Sequence, residues 1–184
     1  TEEWTNGPAT FVRTQEGRLY FNSTTNAFKI TEKNIPGATW SGGGNLNNAR
    51  STAGGGGTQT AGLIAGGVAP PSYTRKAFTE QYDGSSWTEV GDLNEGRSYN
   101  GQAGATYTSA IIGGGSPGPS PATANAETWD GSSWTETGNL NTGRIAGSGI
   151  SEDSTASLVF GGFITPSRND ETELWNGSSW TELN

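Results

Sequence analysis

Gly84-Ser85-Ser86-Trp87-Thr88-Glu89 recurs as Gly131-Ser132-Ser133-Trp134-Thr135-Glu136 and again as Gly177-Ser178-Ser179-Trp180-Thr181-Glu182. A degenerate copy, Ala38-Thr39-Trp40-Ser41, precedes them, so Trp40, Trp87, Trp134 and Trp180 are spaced by 47, 47 and 46 residues. Other marks keep the same beat. Leu46, Leu93 and Leu140 fall 47 apart, as do Arg50, Arg97 and Arg144. The pairs Gly66-Gly67, Gly113-Gly114 and Gly161-Gly162 each follow a short apolar run. Glu80-Gln81-Tyr82-Asp83, Glu127-Thr128-Trp129-Asp130 and Glu173-Leu174-Trp175-Asn176 then lead into each tryptophan. Several independent marks in one register define a repeat, and the repeat must be read before any single motif.

Each unit reads as four strands. A first strand follows the arginine, and a second, apolar strand ends at the double glycine. After a variable loop, a third strand carries Glu-x-aromatic, and strand alternation puts those two side chains on one face. An Asp-Gly or Asn-Gly turn, a strong hairpin signal, leads into the fourth strand through the tryptophan. Four short strands per unit at this period predict an all-β array of four-stranded propeller blades.

The motif set resembles the kelch repeat of galactose oxidase-like and many non-enzymatic propellers, over about residues 39 to 184. The resemblance implies kelch-type β-propeller blades: three full four-stranded blades, Arg50 to Trp87, Arg97 to Trp134 and Arg144 to Trp180, plus a partial blade. It implies no single activity, because one fold hosts many functions. Thr1-Glu2-Glu3-Trp4 is similar to Thr172-Glu173-Leu174-Trp175, so residues 1–4 are expected to be a third strand of the partial blade, with Trp40 in its fourth. Closed propellers have roughly four to eight blades. The ring is therefore expected to be completed by a longer chain or by another subunit.

Residues 5–38 interrupt this pattern as an inserted β-hairpin segment, ahead of the blades at 39–184. Arg18-Leu19-Tyr20-Phe21-Asn22 and Ala27-Phe28-Lys29-Ile30-Thr31 flank the polar tract Ser23-Thr24-Thr25-Asn26, suited to a hairpin turn. The string from Glu16 to Lys29 is similar to short hairpin modules of bacteriophage tail-fibre and tail-associated proteins. Glycine-rich kelch-like arrays with this Gly-Ser-Ser-Trp-Thr-Glu style also resemble those of marine phages.

Composition narrows the chemistry. The 184 residues include 30 glycines, and the hydrophobic share is 30%, which fits many turns between short strands rather than helices. Ten basic against eighteen acidic side chains give a net charge of −8, a field that repels a phosphate backbone. Nucleic-acid binding is not expected. No apolar run approaches the roughly 20 residues of a membrane helix, so no membrane insertion is expected, and no signal peptide opens the chain. The absence of an initiator methionine is read as a processed product or a segment of a longer protein. Histidine and cysteine are both absent. That removes Ser-His-Asp and Cys-His catalysis, the usual zinc sites and the copper chemistry of galactose oxidase. No enzyme activity, metal or cofactor is expected, and no carboxylate pair stands out for glycosidase work.

The repeated residues have structural and functional readings side by side. Tryptophans could stack on sugars, yet recurrence at one blade position favours burial, about 4–6 kcal/mol each as an upper bound. Arg50, Arg97 and Arg144 could bind anions, but a buried guanidinium needs a partner, and Glu80, Glu127 and Glu173 are the candidates. Gly54-Gly55-Gly56-Gly57 reads as a turn or flexible loop, since no Gly-x-x-x-x-Gly-Lys pattern or following helix makes it a phosphate cradle. The loops after the double glycines differ from unit to unit, and recognition is commonly built on such variation. Tyr73, Arg75, Lys76, Arg168 and Asn169 are the candidate binding residues there.

These readings converge on a non-catalytic virion protein, of tail-fibre or tail-associated kind, outside the cell. Its expected partners are a host surface glycan or other virion proteins, with homo-oligomerisation as one route to a complete ring. The alternatives are a secreted adhesin or lectin-like propeller, and a fragment of a larger propeller enzyme.

Overall fold

The computed structural model describes residues 19–22, 27–30, 42–118 and 122–183. The chain divides into two units, residues 1–42 and 43–184. The strand expected at residues 1–4 and the tryptophan of the degenerate copy, Trp40, lie outside the described residues.

In the first unit, β1 (Leu19–Asn22) pairs antiparallel with β2 (Ala27–Ile30), Leu19 opposite Ile30 and Asn22 opposite Ala27. This is the hairpin expected from two β-prone runs around a polar tract.

The second unit holds three antiparallel sheets of four strands, each in chain order. The first sheet contains β3 (Gly54–Thr58) and β4 (Ala61–Ala65). A small hairpin of β5 (Val68–Ala69) and β6 (Thr74–Arg75) follows, before β7 (Thr79–Tyr82) and β8 (Trp87–Val90) complete the sheet. The second sheet is β9 (Gly101–Thr106), β10 (Ser109–Gly113), β11 (Ala126–Trp129) and β12 (Trp134–Thr137). The third has β13 (Ser148–Asp153) and β14 (Ala156–Phe160), then the hairpin β15 (Phe163–Ile164) and β16 (Ser167–Arg168), then β17 (Thr172–Trp175) and β18 (Trp180–Leu183). Among the described residues no helix forms.

The tetraglycine is a strand, which corrects its reading as a turn or loop. Gly54 to Thr58 pair residue by residue with Ala65 to Ala61. Within the tetraglycine, Gly57 holds φ +108° and an added Cβ there would meet the Ala61 carbonyl oxygen at 2.2 Å, so the turn into β4 requires glycine; β9 lies against both β3 and β13, so the first strands of successive sheets are close neighbours. A Cβ on Gly101 of β9 would already approach the Gly147 carbonyl oxygen to 3.3 Å. Glycine weakens a strand by entropy but permits this approach. The double glycine of the second sheet also shifts by one. Gly113 belongs to β10, and Gly114 and Gly115 take the positive φ values (70° and 104°) that Gly66–Gly67 and Gly161–Gly162 take in their units.

Each sheet has two unlike faces. One carries the Glu-x-aromatic pair and the following tryptophan: Tyr82 lies opposite Trp87, Trp129 opposite Trp134, and Trp175 opposite Trp180. The other carries the alternate residues. Between the first and second sheets, Leu63 and Ala65 pack with Ala110, Ile112, Trp129 and Trp134, and Leu93 closes the cluster. Between the second and third, Ile111, Ala126 and Leu140 pack with Val159, Trp175 and Trp180. The same interface is built twice, always aliphatic face on aromatic face.

Candidate binding surface

The repeated charges form clamps inside each sheet. Arg97 donates through Nη2 to Glu127 Oε1 at 2.7 Å and through Nη1 to the Asn125 carbonyl at 2.7 Å. Arg50 reaches Glu80 at 2.9 Å and the Phe78 carbonyl at 2.9 Å. Arg144 pairs with Glu173 and donates to the Glu171 carbonyl at 3.0 Å. The second oxygen of each glutamate is taken by the segment entering the sheet. Glu127 accepts from the Asn94 backbone N–H at 2.8 Å and its amide at 2.9 Å, and Asn47 and Asn141 do the same for Glu80 and Glu173. All six clamp side chains are essentially buried. Burial pulls the Arg50 guanidinium below its ordinary value, with Glu80, Glu89 and Asp92 pulling the other way. A buried carboxylate held by one guanidinium on one oxygen and one chain segment on the other is closed off from a ligand.

Most of the tryptophans are consumed in the same way. Trp129, Trp134, Trp175 and Trp180 are buried, and each indole N–H has an acceptor: the Tyr107 carbonyl at 2.7 Å, Thr79 Oγ1 at 2.9 Å, the Ser154 carbonyl at 3.0 Å and the Gly138 carbonyl at 2.8 Å. None presents a free face for a sugar. Trp87, in the first sheet, is half-buried and stacks at a tilt on Tyr82 with centroids 5.0 Å apart.

The turns before the fourth strands are also internally satisfied. Asp83 Oδ1 accepts from the N–H groups of Ser85 and Ser86, both at 2.8 Å, and Asp130 accepts likewise from Ser132 and Ser133. These backbone donors hold both carboxyls down to about 2. Asn176 makes the same turn without a charge. Asp153, bonded to Thr155, is also lowered.

What is left lies at the double-glycine end of the sheets. The residue after each arginine exchanges two backbone bonds with the residue after the glycine pair: Ser51 with Val68, Ser98 with Ser116, Ile145 with Phe163. The small hairpins rise from these bridges. Tyr73 stands at the tip of the first, 69% exposed. Arg75 is half-buried, its Nε without a partner among the described residues, and Lys76 Nζ lies 5.7 Å from the Phe78 ring centroid. Beside the third sheet Arg168 is exposed on β16, while Asn169 is turned to Glu171, accepting its N–H at 2.9 Å. The five residues therefore belong to two hairpins on the first and third sheets, and Asn169 acts locally to shape its turn.

A further group was not anticipated. Ser98-Tyr99-Asn100 sits between the two hairpins in chain order, at the head of β9. Tyr99 is half exposed, at φ +55°, whereas the Ser98 hydroxyl and both polar atoms of Asn100 are buried without a hydrogen-bond partner among the described residues. A signal existed in the sequence: the same offsets hold Ser51-Thr52-Ala53 and Ile145-Ala146-Gly147, so the middle unit alone combines an aromatic and an amide there.

No protein-family model matches the chain, and no curated protein matches it. A solved structure, that of YjhT, resembles it at a TM-score of 0.61 and 16% identity, over 90% of this chain and 51% of that one. The chain thus spans about half the length of that protein. At such low identity the likeness bears on the fold alone, an all-β arrangement of small antiparallel sheets.

Proposed function

We propose that the three sheets are blades of a kelch-type propeller, and that the chain is a non-catalytic virion protein of tail-fibre or tail-associated kind. Its double-glycine end contacts a host surface glycan or another virion protein. One observation carries this reading. Residues repeated in register are spent on the scaffold, while those that break the register, Tyr73, Tyr99, Asn100 and Arg168, gather at one end of the sheets. Exposed tyrosine beside polar groups suits sugar rings and protein surfaces alike. The kelch-like motif order and the fibre-like hairpin at residues 19–30 support the virion assignment.

The test is adsorption of the labelled chain to a panel of bacterial cells and to their extracted surface polysaccharide. Tyr73→Ala combined with Tyr99→Asn, chosen because asparagine tolerates a positive φ, should weaken binding about tenfold or more. Adsorption unchanged by these substitutions and by Arg168→Ala would remove this surface from the proposal.

A further inference from the structure

Asn-Gly occurs three times in the chain, at Asn6-Gly7, Asn100-Gly101 and Asn176-Gly177. Glycine leaves the backbone nitrogen after the asparagine unshielded by any side chain, so that nitrogen can reach the asparagine amide with little hindrance. The first copy lies outside the described residues. The other two stand in opposite circumstances. Asn100 is 7% exposed, and Gly101 is paired with Gly113 in β9. Asn176 and Gly177 are exposed, in the hairpin turn between β17 and β18.

The turn activates the Asn176 amide. Its Oδ1 accepts from the Ser178 N–H and hydroxyl, both at 2.9 Å, and from the Ser179 N–H at 3.0 Å. Three donors on one carbonyl oxygen draw electrons from Cγ and would hold the oxyanion formed when a nucleophile adds there. Nδ2, the group that must leave, donates to the Ser179 hydroxyl at 3.4 Å. Gly177 holds φ +92°, and among the described residues no backbone carbonyl accepts from its N–H.

Asp83 and Asp130 stand in the same turn, on the same backbone donors and before the same glycine. Their carboxyls, held down to about 2, are ionised at neutral pH, and a carboxylate is a poor electrophile. Of the three turns, only the third carries a neutral acyl group. Its exposure belongs to the turn and not to its place in the stack. Asp130, Ser132 and Ser133 are exposed as well, although their sheet packs on both sides.

We propose that Asn176 is a self-modifying site, at which the turn converts asparagine to aspartate without an enzyme. The Gly177 nitrogen gives its proton to solvent and bonds to Asn176 Cγ, and the Cγ–Nδ2 bond breaks. Nδ2 takes up a proton and departs as ammonia, leaving a cyclic succinimide. Water then opens the ring, at Cγ to give aspartate or at the main-chain carbonyl to give its β-linked isomer. The turn is built to accept the aspartate, since Asp83 and Asp130 take the same N–H bonds. The chain gains a negative charge, and the third turn becomes a copy of the other two. The site involves the turn alone and is independent of any ligand.

The test is to incubate the full chain in native buffer at mildly alkaline pH and follow conversion by mass spectrometry, one peptide at a time. Asn176 should convert at a rate that rises with pH. Asn100 should convert at least about tenfold more slowly, because attack there requires β9 to open. In concentrated urea the two rates should come together. Asp130→Asn places the same dipeptide on the same donors in the second sheet, and that turn should convert within about threefold of the Asn176 rate. Ser178→Ala with Ser179→Ala, both at exposed positions, keeps the backbone donors and removes the two hydroxyls; it should slow Asn176 about threefold or more. An Asn176 that keeps its amide in the native protein, an Asn100 that keeps pace with it, or an inert Asp130→Asn turn would each overturn the proposal.

Discussion

The second and third sheets carry the same motif and the same clamp, yet only the second has protein on both faces. The clamps are indifferent to this. Arg97–Glu127 and Arg144–Glu173 are equally buried, because each is closed by its own sheet and its own entering segment. The aliphatic faces are not indifferent: Ile111 vanishes beneath the third sheet, while Leu174 and Ile150 are exposed to solvent. The aromatic faces tell the same story from the other end, with Trp129 and Trp175 buried and Tyr82 half-buried. A repeated residue can thus belong to the unit alone or to the contact between units, and only the second kind senses position in the stack.

The largest expected effect tests the first kind. Glu127→Ala leaves the Arg97 guanidinium buried without its counter-charge and should cost about 3–5 kcal/mol in urea unfolding. Glu173→Ala should cost the same within about 1 kcal/mol, although its sheet is covered on one side only. A large difference between the two would break the comparison. Glu95 provides the contrast. It lies 3.6 Å from Arg97 but is 39% exposed, so Glu95→Ala should stay within about 0.5 kcal/mol of the wild type.

The second prediction tests position. Trp129→Ala empties a buried site and forfeits the bond to Tyr107, at about 3–5 kcal/mol. Trp87→Ala in the half-covered first sheet should cost at least about 1 kcal/mol less. A gap of less than about 0.5 kcal/mol would mean that position in the stack does not set the worth of the repeated tryptophan.

These contrasts also mark what could be read from residues alone. The period, the strand order and the Arg–Glu pairing follow from spacing, since alternation and charge compensation act within one unit. The hairpin at residues 19–30 was legible because two β-prone runs flank a polar tract. Gly54–Gly57 was not, because a run of glycines has no side-chain alternation, and only its pairing with Ala65 to Gly62 makes it a strand. The hairpins β5–β6 and β15–β16 were hidden in loops rich in proline, where two-residue strands leave no period. Ser98-Tyr99-Asn100 has no counterpart at the same offsets in the other repeats, so no periodic mark points to it. Which face of which sheet is exposed depends on the number of neighbours, a quantity no single unit encodes.

The smallest effect is a pH dependence confined to two of the three turns. Asp83 and Asp130 are held near a pKa of about 2 by backbone donors, against an ordinary 3.8, whereas Asn176 closes the same turn without ionising. A carboxyl with a depressed folded-state pKa adds stability above its ordinary value and loses it as pH falls toward the folded one. The wild type should therefore lose ground between about pH 4 and pH 2 through these two turns. Replacing both with the residue nature uses in the third, Asp83→Asn with Asp130→Asn, keeps the acceptor oxygen and removes the titration. Urea midpoints of the two proteins should lie close together near neutrality and diverge in favour of the double variant below about pH 4. Midpoints that fall in parallel would mean that the acid sensitivity of the fold resides in its other carboxylates. The three turns would then differ in sequence without differing in energetics.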